Sequence, residues 1–302
     1  MISHKLLDRN LWHSIEKIRE TLGWTHAEMS DRLGLTRKQY ERNRYLIRPL
    51  SAVSLLTLTK DLHVSVEDLF NHQIDFKALK RHSQGDLRFL PERYEQNAFS
   101  RRRTALPLIG FCDKNFGTEY TDNILRKLQI RRCLFDDPDS GISIRFMMDF
   151  LEVLANRWNS ETLVYASGTY AATTHRASPF AQQVAQSRTV KEGYDLQVNH
   201  LMELMEKNCH YRTPVLSDTS CVIESKPREE VRDALKTHQI GNRFTCTFRS
   251  GSASAISTYM NLPMATTVET HCIHRGDPYC RLHVDYEFAH FVQRRGKNAR
   301  LA

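Results

Sequence analysis

The chain reads ETHCIHRGDPYC over residues 269–280, and Cys246 lies 23 residues before the glutamate that opens this stretch. Cys246, Glu269, Cys272 and Cys280 are separated by 23, 3 and 8 residues. A soft cation such as zinc prefers thiolate ligands and tolerates one carboxylate oxygen in a closed tetrahedral site. The spacing therefore predicts that these four side chains bind structural zinc. The alternative is that the three cysteines are small buried apolar residues without a metal.

The residues around these ligands favour strands. Apolar and other residues alternate over 244–248 and again over 280–286, which predicts one strand at each place. Glu269 and Cys272 cannot point to the same side of a flat strand, so we expect a bulge or bend between them. The other side chains that can serve as ligands here are His271, His274 and His283.

This part of the chain resembles a known family. The motifs that carry the resemblance are Phe248-Arg-Ser-Gly251, Asn261-Leu-Pro263, Glu269-x-x-Cys272 and Arg275-Gly-Asp277-x-x-Cys280. Over about residues 240–286 they resemble the 4-vinyl-reductase domain family, and the ligand spacing is similar to that of the zinc-bearing sensor domain of bacterial activators that respond to phenols and other aromatics. The resemblance implies a zinc-bearing domain over about residues 196–290 that senses a small, apolar or aromatic ligand.

The N-terminal residues have the pattern of short, separately capped helices. A periodic apolar run over 11–22 predicts the first helix, and capping boxes that begin at Thr25 and Thr36 open the second and third. A fourth helix is expected over about residues 51–62, and Ser65 opens a fifth. Five short helices of this kind make a compact helical domain.

This layout resembles the Cro/repressor type of helix-turn-helix domain over about residues 10–70. The residues that carry the resemblance are Gly23-Trp-Thr25, Leu33-Gly-Leu-Thr36, Pro49 and Val64-Ser65-Val66. It implies that the third helix enters the major groove of DNA, where Arg can pair with guanine and Gln or Asn with adenine. The predicted DNA-binding residues are Thr25, His26, Thr36, Arg37, Lys38, Gln39, Arg42, Asn43 and Arg44. The alternative is a helical interaction domain with a solvated basic face.

Positive charge is concentrated in the first third of the chain. The formal net charge is +8, and residues 1–103 carry 19 Lys and Arg against 13 Asp and Glu. A basic N-terminal region fits a polyanion partner such as double-stranded DNA. We expect a DNA-binding domain over 1–75, a basic linker over 76–103 and a sensor region over 104–302. An arm that follows the DNA backbone is the alternative for the linker.

The middle of the chain mixes helical and strand patterns. Residues 144–157 and 190–207 have apolar side chains at helical spacing, and short strands are expected at 163–165, 215–216 and 221–223. The side chains expected to line a ligand cavity are Met147, Met148 and Leu151, with solid packing against a sheet as the alternative. Nearby candidates for ligand contact are Trp158, His175 and His200.

Catalytic and membrane motifs are absent from the sequence. It contains no phosphate-binding G-x-x-x-x-G-K-[ST] loop, no G-x-S-x-G elbow, no H-E-x-x-H pair and no dinucleotide-binding glycine fingerprint, so we do not expect an enzyme. No apolar run reaches about 18 residues, and the first residues do not read as a signal peptide. Seven cysteines fit a reducing compartment. We therefore expect a cytoplasmic protein without a membrane partner.

Together these patterns predict an all-α five-helix helix-turn-helix domain followed by an α+β sensor domain. The expected function is that of a one-component transcription regulator that binds DNA as a homodimer, because one small module rarely supplies enough affinity and specificity. Two alternatives remain. The C-terminal domain can be only a dimerisation or protein-interaction scaffold, or it can be an enzyme of the pigment-biosynthesis type.

Overall fold

The computed structural model describes residues 4–86, 88–236 and 240–287. The chain divides into two compact units. The first comprises Met1–Glu92 with Asp122–Asp136, and the second comprises Arg93–Thr121 with Asp137–Ala302. None of the helices described is long and apolar enough to cross a bilayer.

The first unit begins with six short helices. They are α1 (His4–Leu22), α2 (His26–Arg32), α3 (Arg37–Tyr45), α4 (Ala52–Leu62), α5 (Val66–Asn71) and α6 (Phe76–Ser83). The hydroxyls of Thr25 and Thr36 accept hydrogen bonds from the third backbone amide of α2 and α3, each at 3.2 Å. Gly23 and Gly34 adopt positive φ angles of 69° and 65° after the preceding helices, as helix-terminating glycines do. The predicted caps at Thr25, Thr36, Ser51 and Ser65 begin α2 to α5, whereas α6 is a sixth helix in the stretch predicted as a linker.

The core of the first unit fixes the orientation of α3. Leu11, Ile15 and Ile18 on α1 are fully buried, and so is Tyr40 on α3. The Tyr40 ring packs edge-on against Trp12, with ring centroids 5.7 Å apart. Because Tyr40 faces this core, the opposite face of α3 is left exposed.

The second unit combines helices with two small sheets. Its helices, with those that cross the boundary between the units, are α7 (Glu92–Glu95), α8 (Leu106–Phe116), α9 (Thr118–Lys127), α10 (Ile144–Trp158), α11 (Glu161–Thr169), α12 (Ala171–Thr174), α13 (Pro179–Ala185), α14 (Val190–Asp195), α15 (Met202–Met205), α16 (Glu229–Leu235) and α17 (Arg243–Ser254). Its strands are β1 (Ser100–Arg101), β2 (Gly141–Ile142), β3 (Cys209–Leu216), β4 (Ser220–Pro227), β5 (Thr266–His271) and β6 (Cys280–Asp285). The coarse prediction of a helical N-terminal region followed by an α+β region is confirmed.

The larger sheet is antiparallel, with the order β3-β4-β6-β5. The strands predicted at 215–216, 221–223 and 280–286 lie in β3, β4 and β6, the last of which ends at Asp285. The register of β5 against β6 shifts between Glu269 and His271. The irregularity predicted between Glu269 and Cys272 is therefore present.

Two predicted strands are helices in the structure. Residues 244–248 belong to α17, and residues 163–165 belong to α11. At α17, the Asn242 side chain accepts a hydrogen bond from Thr245 N at 3.0 Å and caps the helix. An alternation of only a few residues cannot distinguish a strand from a buried helix, and this N-cap favours the helix.

The helices α11 and α17 pack at unusually close range. A Cβ atom added to Gly168 would lie 2.0 Å from Phe248 O, and one added to Gly251 would lie 2.1 Å from Tyr165 O. Only glycine permits this approach of two backbones. The contact holds α17 in place against α11.

Residues 76–103, for which we predicted a basic linker, contain α6, α7 and β1. The domain boundaries remain a prediction, but the stretch is not uniformly solvated. Arg102 and Arg103 are buried, and Arg103 Nε donates a hydrogen bond to Asp139 Oδ1 at 2.9 Å. Two of the three consecutive arginines at 101–103 are therefore held by the fold of the second unit.

Candidate functional site

Four side chains with metal-binding donor atoms meet beside the larger sheet. They are Cys246 on α17, Glu269 in β5, Cys272 directly after β5, and Cys280 at the start of β6. Their sulfur and oxygen donor atoms all lie within 4.8 Å of one another. The Sγ atoms of Cys246 and Cys280 are 3.6 Å apart. The structure thus brings together the whole set predicted from the spacing, and the three neighbouring histidines are not part of it.

The turn from Cys272 to Cys280 orients two of the sulfurs. Asp277 Oδ2 accepts a hydrogen bond from Cys272 N at 2.7 Å, and Ile273 N donates to Cys280 Sγ at 3.4 Å. Gly276, with a φ angle of 98°, closes the turn. An amide directed at a sulfur stabilises the thiolate form, which is the form that binds metals.

The electrostatics of the set favour a cation. Hydrogen bonding to Cys246 lowers the pKa of both Cys272 and Cys280. Burial, together with the neighbouring Cys272, raises the pKa of Glu269 to about 7. The buried Oε1 atom of Glu269 has no hydrogen-bond partner among the described residues, while its Oε2 lies 3.3 Å from Arg275 Nη2. A metal ion would supply the partner that Glu269 Oε1 lacks.

The donor set fits one tetrahedral ion. Thiolates that bind an ion at about 2.3 Å in tetrahedral geometry lie about 3.8 Å apart, close to the 3.6 Å between Cys246 and Cys280. Four protein ligands leave no open position for substrate or activated water. An ion bound here would therefore join α17 to β5 and β6 and would not perform chemistry.

The second unit also contains a partly open cavity of about 120 Å³. Apolar residues of its wall include Val198, Met202, Met205, Ile223, Phe248 and Leu282. An engineered apolar cavity of about 150 Å³ in another protein binds benzene. The cavity therefore has the size of one small ring.

A buried charged network forms the polar end of this cavity. Arg249 Nη2 donates to Glu206 Oε1 at 2.5 Å, and Tyr211 Oη donates to Glu206 Oε2 at 2.6 Å. The side chains of Arg249 and Glu206 are only 13% and 10% exposed. Burial alone would lower the pKa of Arg249, but Glu206 and its neighbours raise it above its ordinary value. The pair is thus charged, mutually neutralised and part of the wall.

The structure corrects the expected lining of the cavity. Met147, Met148 and Leu151 of α10 do not lie on this wall, and the methionines that do are Met202 and Met205. Met147 and Leu151 are buried, and α10 packs against the helices α11 and α17; the alternative of packing against a sheet stays a prediction. The sequence signal that was missed is the pair of methionines near the end of the helix predicted over 190–207.

Among the three candidates for ligand contact, His175 lies on the wall, whereas Trp158 and His200 do not. Burial lowers the pKa of His175 to about 4, and the nearby Arg103 guanidinium adds to the decrease. His175 is therefore neutral at pH 7. It contributes a polar but uncharged ring to the cavity.

The residues predicted to contact DNA fall into two groups. Arg37, Lys38, Gln39 and Arg42 are exposed on α3. Two of these four are engaged by neighbours in the helix. Arg37 Nε donates to Glu41 Oε1 at 2.9 Å, and the Gln39 amide oxygen accepts from Thr36 N at 2.9 Å. Lys38 and Arg42 form no ion pair within the described part of the chain.

The remaining predicted residues are tied more closely to the fold. Thr25 and Thr36 are N-caps, while His26, Asn43 and Arg44 are half-buried. Arg44 Nη1 donates to Glu16 Oε2 at 3.1 Å, and Tyr40 Oη donates to Glu16 Oε1. Although burial alone would raise the pKa of Glu16, these hydrogen bonds and cations lower it. Arg44 therefore joins α3 to α1.

Comparison with known proteins gives a limited result. No protein family and no curated protein matches the chain. Among solved structures, the chain is similar to an H-NOX protein from S. oneidensis in the Fe(II)NO state, with 13% identity and a TM-score of 0.46 over 61% of this chain and 98% of that one. It is also similar to an Fe(II) unliganded H-NOX protein from K. algicida, with 11% identity and a TM-score of 0.44 over 61% of this chain and 95% of that one. Neither likeness assigns an activity to this chain.

These comparisons correct two sequence predictions. The recognition of a Cro/repressor-type domain fused to a 4-vinyl-reductase-type domain is wrong by this test, because no family matches and the solved structures found are H-NOX proteins. The prediction of structural zinc as the cofactor is also wrong by this test, because those solved proteins are described as Fe(II) proteins. The four donor residues remain a candidate metal site whose ion is unassigned.

The cavity of this chain does not fit Fe(II) carried in a haem. A haem needs an axial ligand such as His, Cys, Met or Tyr, and His175 on the wall is of a suitable type. The cavity of about 120 Å³, however, has the size of one small ring, and a porphyrin is several times larger. We therefore derive no haem chemistry for this protein.

Proposed function

We propose that this protein is a DNA-binding transcription regulator whose second unit responds to a small, apolar or aromatic ligand. The observation that carries the proposal is the exposed basic face of α3. Lys38 and Arg42 lie there without an ion-pair partner in the described residues, while Tyr40 on the opposite face is buried in the core.

The local geometry of the first unit supports this role. The helices α2 and α3 are joined by a tight turn at Gly34 and are each capped by a threonine. A helix-turn-helix protein places the second helix of such a pair in the major groove, with its first residues at the base edges. Because the Gln39 amide is used in the cap, the proposal assigns base or phosphate contact first to Lys38 and Arg42.

The ligand-binding half of the proposal is supported by the cavity of the second unit. Its Met202 and Met205 side chains are flexible and adapt to ligand shape. A ligand changes DNA binding only through its difference in affinity for two conformations of the protein, and a tenfold change requires about 1.4 kcal/mol. We propose that the protein acts as a homodimer, because one small DNA-binding module rarely gives sufficient affinity and specificity. We also propose that it is a binding protein and not an enzyme.

The test compares two arginines that differ in location. Duplexes selected by the full chain from a random pool are titrated by fluorescence anisotropy at several salt concentrations. Replacing Arg42 by Ala should weaken binding and reduce the slope of log affinity against log salt by about one. Arg188→Ala removes the same charge from an exposed position of the second unit and should leave the slope unchanged. Absence of duplex binding by the full chain, or equal effects of the two variants, would contradict the proposal.

A further inference from the structure

We infer that Gln197 sets the specificity of the cavity, and that it selects an uncharged single-ring molecule carrying an N–H or O–H hydrogen-bond donor. The inference rests on the proposed ligand-binding function of the second unit. Gln197 lies on the cavity wall and is 6% exposed. Within residues 4–86, 88–236 and 240–287, no atom donates a hydrogen bond to its buried Oε1 atom.

A buried amide oxygen without a donor is unusual in a native structure. The great majority of buried polar atoms have a hydrogen-bond partner, and each exception calls for a physical reason. Leaving such a group unpaired destabilises the fold through lost solvation. A ligand that brings an N–H or O–H group into the cavity would supply the partner that Gln197 Oε1 lacks.

Three hydroxyl groups of the cavity wall donate to acceptors other than Gln197. Tyr211 Oη donates to Glu206 Oε2 at 2.6 Å, and Tyr259 Oη donates to Ala171 O at 3.3 Å. Ser252 Oγ donates to backbone carbonyls at 3.2 and 3.3 Å. These three hydroxyls are committed to other acceptors of the protein, and Gln197 Oε1 is left without a donor from the described residues.

The backbone around Gln197 is irregular, and it is held in place. Residues Leu196–Leu201 form a π-helix between α14 and α15. Such segments are rare and frequently occur at functional sites. The Asn199 amide donates to Asp195 Oδ1 at 2.6 Å and to Thr213 Oγ1 at 2.7 Å. This anchors the π-helix to α14 and β3, so that Gln197 is presented to the cavity in a defined position.

Size and charge narrow the class of ligand further. A cavity of about 120 Å³ is somewhat smaller than the engineered cavity of about 150 Å³ that binds benzene. The charge of Arg249 is already neutralised by Glu206 at 2.5 Å. A charged ligand would lose its hydration without gaining a free counter-ion. An uncharged five- or six-membered ring with one donor meets all of these conditions.

The experiment uses two rings of nearly equal size. Pyrrole carries an N–H donor, whereas furan offers only a ring oxygen. Calorimetric titration of the full chain should show that the ratio of pyrrole affinity to furan affinity is about tenfold higher in the wild type than in Gln197→Leu, which corresponds to about 1.4 kcal/mol. Gln197→Met, which keeps an unbranched side chain without an amide, should behave like Gln197→Leu and guards against disturbance of the π-helix.

Two further results separate this inference from the proposed function. Ala253→Met places a larger side chain on the wall and should abolish binding of both rings, which locates them in this cavity. If both rings bind with the same affinity ratio in the wild type and in both Gln197 variants, ligand binding stands and the role of Gln197 is refuted. A wild-type preference for furan refutes it as well. If neither ring binds the wild type, the cavity is not a site for small rings, and both the ligand-binding proposal and this inference fail.

Discussion

Replacing Gly168 by alanine tests the close contact that positions α17. The added Cβ atom would lie 2.0 Å from Phe248 O, which is a backbone atom and cannot rotate away. Real Cβ atoms essentially never lie closer than 3.0 Å to such an atom. The helices α11 and α17 must therefore separate by about 1 Å.

The expected size of the effect follows from two opposing terms. Alanine is about 1 kcal/mol better than glycine in the interior of a helix. Overpacking a well-packed contact typically costs about 1–3 kcal/mol, and a gap of about 1 Å also removes a large part of the dispersion energy across the interface. Because the obstacle is backbone, we use the upper end of the range. The net loss of stability should be about 2 kcal/mol.

Gly193 provides the matched control. It is also a helical glycine, but a Cβ atom added there would meet Met260 Sδ at 2.7 Å. That atom belongs to a flexible side chain, which can move at little cost. Gly193→Ala should therefore change stability by less than about 1 kcal/mol, because its gain in helix propensity offsets the displacement of Met260.

Hydrogen exchange followed by mass spectrometry measures both variants locally. Peptides from residues 161–169 and 243–254 should exchange faster in Gly168→Ala than in Gly193→Ala, by about thirtyfold if the difference is about 2 kcal/mol. Peptides from α1 and α5 in the first unit should be unaffected. Equal protection of α11 and α17 in the two variants would show that the glycine contact does not hold these helices together.

Two predictions concern the donor cluster and the cavity. Protein isolated from cells should carry about one metal ion per chain, measured by elemental mass spectrometry across the first transition row. The variant Cys272→Ser should lose this ion, whereas Cys133→Ser, which lies outside the cluster, should keep it. A metal-free wild-type protein would refute the site. Burial and the nearby Arg103 lower the pKa of His175 to about 4 in the folded protein. Since the unfolded chain takes up a proton at His175 at a higher pH than the folded protein does, the free energy of unfolding should fall as the pH decreases from about 6.5 to 4. The melting temperature of His175→Gln should depend less on pH over this window than that of the wild type, and identical slopes would contradict the assignment.

The sequence predicted best what local residues control. The caps at Thr25 and Thr36 act on backbone amides three residues away, so the starts of α2 and α3 could be placed from the sequence alone. The proximity of Cys246 and Glu269 could be predicted from ligand chemistry, although the residues around Cys246 were predicted to form a strand and form a helix instead. A run of five alternating residues does not contain the information that separates the two.

The cavity could not be predicted because it depends on distant packing. The register of a π-helix leaves no periodic signal, since residues 190–207 read as one ordinary amphipathic helix. The packing of the helices decides whether the methionines of α10 or those of α15 line the cavity. The buried pair of Arg249 and Glu206 joins residues 43 apart in sequence, and no spacing rule relates them.

The two features of the second unit share structural elements, and this has a thermodynamic consequence. Cys246 and Arg249 lie one turn apart on α17, so the helix that supplies a sulfur to the donor set also supplies the charged end of the cavity. On β6, Cys280 and Leu282 are two residues apart and therefore point to the same face of the sheet. An ion that fixes α17 against β6 thus restricts the wall that a ligand must accommodate. If a ligand moves α17, it changes the distance between Cys246 and Cys280, and by reciprocity the ion changes the affinity for that ligand by the same factor.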